Sequence, residues 1–487
     1  MPDKIARAVR RALLFLAGNV ALYLFAAVCS ASVLGMDPLL WHREAVDMFA
    51  SLVVVPWGSA LCLLALERRA RMEKPAVRAD LAVLFALLAW VVVPFCLRFG
   101  LTFNTAYSGY NHLVLFFGVY ALVTQEDERG FERAIDWASA LFAGLSLALG
   151  IPALCAALTG GALYTEIGKI GLGLDRQNFL SFGLHYNTTG MIAVCCALFS
   201  LAGFCRRKNP LGKLFHLAAF ALMTLCVVLS QSRTSRYALL LALFAGCYGL
   251  ASAKLPIRRA VARHAAALCC ALAVLVSGYA GAGALTDAAL AHYARMQTPL
   301  PITKGGEALP LERVDAQETP EIQAASEPQV AEARPAVDAT FSDRTRIWRN
   351  LFDLWKNEPK RFILGNGMGN SGRLIVEGTI HEANGGVSVH NSYLQFIADY
   401  GIVGFALLCA FLGMLAPAAL RVLFSPDARP GDCAFVMLAV SQLLTALMES
   451  QPLGAMSASS LALFFSLAVI RVRDASLRGA TPLSSAR

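Results

Sequence analysis

Apolar stretches of about 15–25 residues recur along the whole chain, and they decide what it can fold into. A bilayer offers no water to unpaired backbone groups, so each stretch must close its hydrogen bonds within itself as a helix. About 20 residues at 1.5 Å each cross the hydrocarbon. We place spans near 12–34, 46–66, 79–97, 110–124, 134–158, 187–205, 214–230, 237–253, 264–283, 402–422, 433–448 and 454–470. Composition agrees: 57% of residues are hydrophobic and 15% charged, against about 25% charged in soluble domains. The expected fold is an all-α integral membrane protein with about twelve transmembrane helices.

Charge gives the orientation. The net charge is +9, but the basic residues are spread among short interhelical loops, which argues for membrane topology and against a nucleic-acid surface. With the N-terminus in the cytoplasm, 25 Lys and Arg fall on the cytoplasmic side and six in the opposite short loops. Both termini are then cytoplasmic. The chain divides into residues 1–283 with helices 1–9, a large outer loop 284–401, and residues 402–487 with helices 10–12 and a short cytoplasmic tail. Arg7, Arg10 and Arg11 precede the first apolar stretch, but that stretch is long enough to span and lacks a small-x-small cleavage site.

The outer loop has two parts. Residues 297–340 are rich in Pro, Ala, Glu and Gln and poor in aromatics, a composition that predicts disorder. From Phe341 the pattern Ile347, Leu351, Leu354, Trp355 predicts a helix, with Ser342 or Asp343 as its N-cap. A glycine-rich turn, "LGNGMGNSG", follows.

The candidate chemistry lies on the outer side. Arg233 and Arg236 in "SQSRTSR" run against the inward charge bias. Their alternative is to snorkel to headgroups, but the surrounding hydroxyls can orient a guanidinium toward phosphate oxygens. Arg344 and Arg346 are further anion-binding candidates, set against a merely capped helix start. "GNGMG", including Gly367, could offer backbone N–H groups to a phosphate. His390 and Asn391 open the stretch "HNSYLQFIADYGIVG"; a histidine with its pKa near 6.5 suits general-base work, and Asn391 could orient it or a sugar. His185 and His381 are secondary candidates. The thirteen cysteines sit mostly in apolar stretches with no C-x-x-C spacing, and the three histidines have no motif-like spacing, so neither a disulfide framework nor a metal site is expected.

These segments resemble a known family. His390-Asn391, nine residues, then Gly401-Ile402-Val403-Gly404 is similar to the H-[N/S/Q]-x9-G-x-x-G motif of bacterial O-antigen ligases, shared with the related protein O-oligosaccharyltransferases. "SQSRTSRYALL" resembles the arginine-bearing helix start of O-antigen ligases and polymerases, with Arg233 at the family arginine. "DRTRIW" with "EPKRFILGNGMG" resembles their R-x-x-x-W and glycine segment, with Arg344 at the arginine. "FGLHYNTTG", holding His185 and Asn187, resembles their entry into a span.

The resemblance implies a metal-independent, cofactor-free glycosyltransferase of the bacterial inner membrane. Its outer loop and active site would be periplasmic. It would move polysaccharide from undecaprenyl diphosphate to lipid A–core. Polymerase and protein O-oligosaccharyltransferase use the same donor and are the alternatives; a lipid-glycan transporter would want charges near the midplane and repeat symmetry. The implied catalytic residues are His390, Arg233 and Arg344. Arg236, Arg346, Asn391, His185, Asn187, Arg176 and Gly367 are implied for substrate binding.

Overall fold

A computed structural model describes residues 55–70, 78–99, 109–158, 162–164, 171–175, 178–182, 186–297, 339–367, 389–449, 453 and 457–479. The first expected span, 12–34, the segment 298–338, and the candidates Arg176, His185 and His381 lie outside the described residues. Helices α1 (Val55–Ala70), α2 (Ala79–Phe99), α3 (Gly109–Thr124, π-helical over Val114–Ala121) and α4 (Glu128–Leu158) come first. Then follow α5 (Tyr186–Arg206), α6 (Pro210–Leu229), α7 (Arg233–Lys254) and α8 (Ala260–Gln297). Two loop helices, α9 (Ala339–Asn357) and α10 (Pro359–Leu364), precede α11 (Ser392–Phe424), α12 (Pro430–Thr445) and α13 (Ala458–Leu477).

Six of these helices are long and apolar enough to cross a membrane: α4, α5, α6, α7, α8 and α11. Each falls on an expected span. Three more expected spans coincide with shorter apolar helices, Ala79–Pro94, Gly109–Thr124 and Pro430–Thr445. The core is helical throughout: α5 is central, with Cys195, Cys196, Leu198 and Phe199 fully buried against α4, α6 and α12.

Three features differ from the sequence expectations. A small antiparallel meander joins α4 to α5: β1 (Ala162–Tyr164), β2 (Gly171–Asp175) and β3 (Asn178–Phe182), in that order. Asp175 pairs with Asn178, and a shift of register separates that pair from Gly173 opposite Ser181. The period-two alternation of "GLGLD" and the two-residue connection are hairpin signals that a loop reading passes over. Helix α8 runs 38 residues, past the expected loop boundary at 284; at 1.5 Å per residue it exceeds the hydrocarbon thickness by more than twenty ångströms, so one end projects from it. Helix α9 starts at Ala339, so Ser342 and Asp343 lie inside the helix and not at its cap.

Contacts sort the helix ends into two sets. In one, Glu132 of α4 pairs with Arg206 of α5 at 2.5 Å, Arg429 before α12 at 3.1 Å and Arg473 of α13 at 2.7 Å. Asp80 of α2 takes a 2.6 Å bond from Tyr120 of α3 and faces Arg471 of α13 at 3.5 Å. Arg68 of α1 meets Glu126 at 2.9 Å. The opposite ends form a second set, described next. This is the alternation that consecutive spanning helices require.

Candidate active site

Three helix starts build the second set, each fixed by its own local chemistry. Ser232 caps α7, accepting from the Ser235 N–H, so Arg233 is the first helical residue and its side chain is exposed. Asn391 caps α11 by accepting from the N–H groups of Tyr393 and Leu394, both at 3.0 Å. Side-chain caps of this kind satisfy N–H groups that have no partner within the helix. The Asn391 side-chain oxygen is thus committed to the helix start beside His390. Asn187 lies in the first turn of α5 and is buried.

Among the described residues, the non-glycine residues with positive φ are Gln231 (56°) and His390 (51°). Each immediately precedes the cap of a site helix. That backbone region costs an L-residue about 1–2 kcal/mol, and such strain clusters at functional sites. The His390 turn is held from several sides. Trp348 of α9 donates to the Val389 carbonyl at 2.8 Å, and the Val389 N–H donates to Gln395 at 3.1 Å. The Ser392 N–H donates to the Ala446 carbonyl at 2.7 Å. The expected apolar face of α9 makes the clamp: Ile347, Leu351 and Trp355 bury against Val389, Ile397 and Ala398.

Glu449, just past α12, joins the parts. Its Oε1 accepts from Asn187 Nδ2 at 2.7 Å and from Arg344 Nη2 at 3.3 Å. Asn187 Oδ1 in turn accepts from Ser232 Oγ at 3.0 Å. The Ser392 hydroxyl donates to the Glu449 main-chain carbonyl. Arg233, Arg344 and His390 are therefore each at, or within two residues of, a group tied to Glu449. Burial raises the Glu449 carboxyl to about 7, against the opposing pull of Arg344. Glu449 has no part in the sequence-based site; a lone acid at the end of an otherwise apolar span was the available signal. Gly190 keeps α5 close to this start of α7, since a Cβ there would meet the Cβ atoms of Ser232 and Ser235 at 2.8 Å.

Arg236 has a different setting. Its Nη2 donates to the Val228 carbonyl at 3.3 Å and the Thr286 hydroxyl at 3.4 Å. It ties α6 and α8 to α7. Arg346 lies two residues beyond Arg344 on α9.

The glycine turn does not form the expected anion nest at residues 365–367. The N–H groups of Gly365, Asn366 and Gly367 donate to the carbonyls of Arg361, Ala398 and Asp399 at 2.8–2.9 Å. The Ala398 and Asp399 carbonyls need partners because α11 breaks at Gly401, where φ is 70°. Gly365 (φ 78°) and Gly401 press backbone on backbone: a Cβ on either would strike the other's segment. Trp90 of α2 closes the bend, donating to the Tyr400 carbonyl at 2.7 Å. Gly404 then allows close packing on the same tryptophan, a Cβ there meeting its ring at 3.1 Å, in keeping with small residues at membrane helix contacts.

Among the described residues, no group of three His, Cys, Asp or Glu side chains is placed to hold a metal ion. Apolar helices of spanning length point to a multi-pass membrane protein, with Arg233, Arg344 and His390 at one set of helix ends. Residues 218–409 match the family model described as O-Antigen ligase, which supports the resemblance carried by the histidine and arginine motifs. The match takes in Arg233, Arg236, Arg344, Arg346, Gly367, His390 and Asn391, and leaves out Asn187 and Glu449. It points to ligase- or polymerase-type glycan transfer. No curated protein matches the chain.

Proposed function

We propose that the chain is an O-antigen ligase. It transfers polysaccharide from undecaprenyl diphosphate to a sugar of lipid A–core at the periplasmic face of a bacterial inner membrane, giving lipopolysaccharide. The observation that carries this reading is the gathering of the Arg233, Arg344 and His390 segments around Glu449 at one set of helix ends. The charge bias supports a periplasmic position for that set.

In the reaction, an acceptor hydroxyl oxygen forms a bond to the anomeric carbon of the donor sugar. The bond from that carbon to the diphosphate oxygen breaks, and its electron pair leaves with the lipid diphosphate. His390 takes the hydroxyl proton. Arg233 and Arg344 stabilise the charge that grows on the diphosphate, a role suited to fixed cations. The activated bond already resides in the donor, so the chemistry calls for neither nucleotide sugar nor metal.

The deciding experiment combines purified protein in detergent with lipid-linked polysaccharide and lipid A–core. Polysaccharide-capped lipid A–core is the expected product. Longer lipid-linked chains without capping would make the protein a polymerase, and glycan on a protein Ser or Thr would make it an O-oligosaccharyltransferase. In cells, deleting the gene should leave lipid-linked polymer in place and lipid A–core uncapped.

A further inference from the structure

Glu449 is a buried acid at the proposed site that the reaction as written does not use, and it sits where an acid is least expected. A carboxylate beside Arg344, one of the arginines proposed to bind the diphosphate, repels the donor. Yet its Oε1 occupies Arg344 and Asn187 together, its carbonyl receives Ser392, and its side chain is 10% exposed. A carboxylate so placed does two things at once. It fixes the Arg344 guanidinium, and it neutralises the charge that the diphosphate needs.

We propose that Glu449 is a positioning residue for glycan transfer, one that holds Arg344 in place before the donor docks and gives it up to the diphosphate. The proposal rests on the ligase-type reading above and adds to it a residue and a proton. Giving up Arg344 requires Glu449 to be neutral, because an ionised, buried carboxylate stripped of its partner is costly. The proton comes from solvent as the diphosphate arrives and returns to solvent when the lipid diphosphate leaves. Burial already sets the carboxyl near 7, so either form is accessible at neutral pH. Among the described residues, the charged group paired with Glu449 is Arg344 from α9; Asn187 from α5 and Ser392 from α11 are uncharged. Arg344 thus sets the direction: the pair holds at higher pH, and the neutral acid frees the arginine at lower pH.

The sign of the linkage follows. The donor-bound form carries one more proton than the free form, so donor binding tightens as pH falls. For one linked proton the change approaches about tenfold per pH unit above the carboxyl's own value and vanishes below it. His390 is also ionisable, but Glu449→Gln separates the two. Glutamine keeps an oxygen for Asn187 and Arg344, cannot ionise, and leaves His390 untouched.

The probe is undecaprenyl diphosphate itself, bound to the full-length protein in detergent between pH 6 and 9. Wild type should lose affinity steadily above about pH 7, approaching about tenfold per unit. Glu449→Gln should bind at the tight, low-pH value throughout, while its kcat keeps the wild-type pH profile. A wild-type affinity that is flat across this range overturns the proposal, as does a Glu449→Gln variant with the wild-type slope. Glu449→Asp, an acid withdrawn by one methylene, should keep a slope; a residue that only props the fold would change melting temperature and not slope. Linkage in binding without any capping of lipid A–core would leave Glu449's role standing and remove the ligase reading alone. Absence of undecaprenyl diphosphate binding at every pH would remove both.

Discussion

Arg344 Nη2 stands 3.3 Å from Glu449 Oε1, the same oxygen that accepts from Asn187 at 2.7 Å. One carboxylate oxygen therefore joins the loop helix α9 to the first turn of α5. Arg344→Ala removes a diphosphate contact and leaves a buried acid without its cation. Glycan transfer should fall by about 10²-fold or more, as for other lost transition-state donors. Arg344→Lys should recover little, because an ammonium lacks the planar fork. Initial rates with protein amount normalised by immunoblot decide the point; near-wild-type activity in Arg344→Ala would take the residue out of the site.

The two outer arginines of α7 separate by their surroundings. Arg233 is exposed at the first helical position, whereas Arg236 bonds Val228 of α6 and Thr286 of α8. Arg233→Ala should abolish most transfer with the melting temperature unchanged. Arg236→Ala should cost about 1–3 kcal/mol of stability, the range for bonds from a charged donor, with a smaller loss of transfer per folded molecule. Thermal unfolding in detergent beside activity separates the two. The reverse pattern would exchange their roles.

The Gly365–Gly401 contact makes a backbone prediction. Gly401→Ala combines a positive φ with a clash against the Ile363 carbonyl region. Strain of that kind costs about 1–3 kcal/mol before any clash. The variant should melt lower and should lose transfer, because the bend also orients the segment from Ser392 to Tyr400 that follows His390. A full-activity, full-stability Gly401→Ala would show that α11 runs straight there.

Topology is open to a direct test. Pro320→Cys, in the segment assigned to the periplasm, should react with a membrane-impermeant thiol reagent once the outer membrane is permeabilised. Labelling that waits for inner-membrane lysis would invert the orientation. The thirteen native cysteines are controlled by the same labelling of the unsubstituted protein.

Much of this architecture is legible in the chain because bilayer physics forces it. Unpaired backbone is intolerable in hydrocarbon, so each apolar stretch reads as a helix, and six matched stretches are helices of spanning length. The α9 core face, Ile347, Leu351 and Trp355, was readable for the same reason of period. What sequence alone could not give was set by tertiary pairing. Glu449 is one unremarkable acid until Asn187, Arg344 and Ser392 converge on it from other elements. The glycine run 365–367 looks like a phosphate nest, but the kink at Gly401 supplies carbonyls that claim its N–H groups first. Asn391 looked free to orient a sugar, yet the start of α11 uses its oxygen as a cap.

His390 carries the mechanism's heaviest demand. Its backbone is held in a strained region by Trp348, Gln395 and Ser392 acting on its neighbours, an arrangement that fixes where the imidazole can point. A general base contributes about 10²–10⁴ in rate. His390→Ala should lower kcat by that range while leaving undecaprenyl diphosphate affinity intact, since the arginines hold the diphosphate. The strain adds a second expectation. His390→Gly relieves the positive φ and should raise stability, by about 1 kcal/mol, while losing transfer as the alanine variant does. The assay is single-turnover transfer in detergent, run with and without EDTA. Wild-type rates in His390→Ala would end the base assignment, and lost donor binding would make His390 a donor-site residue instead. Inhibition of the wild type by EDTA, reversed by added metal, would overturn the metal-independent route and recast the imidazole as a ligand.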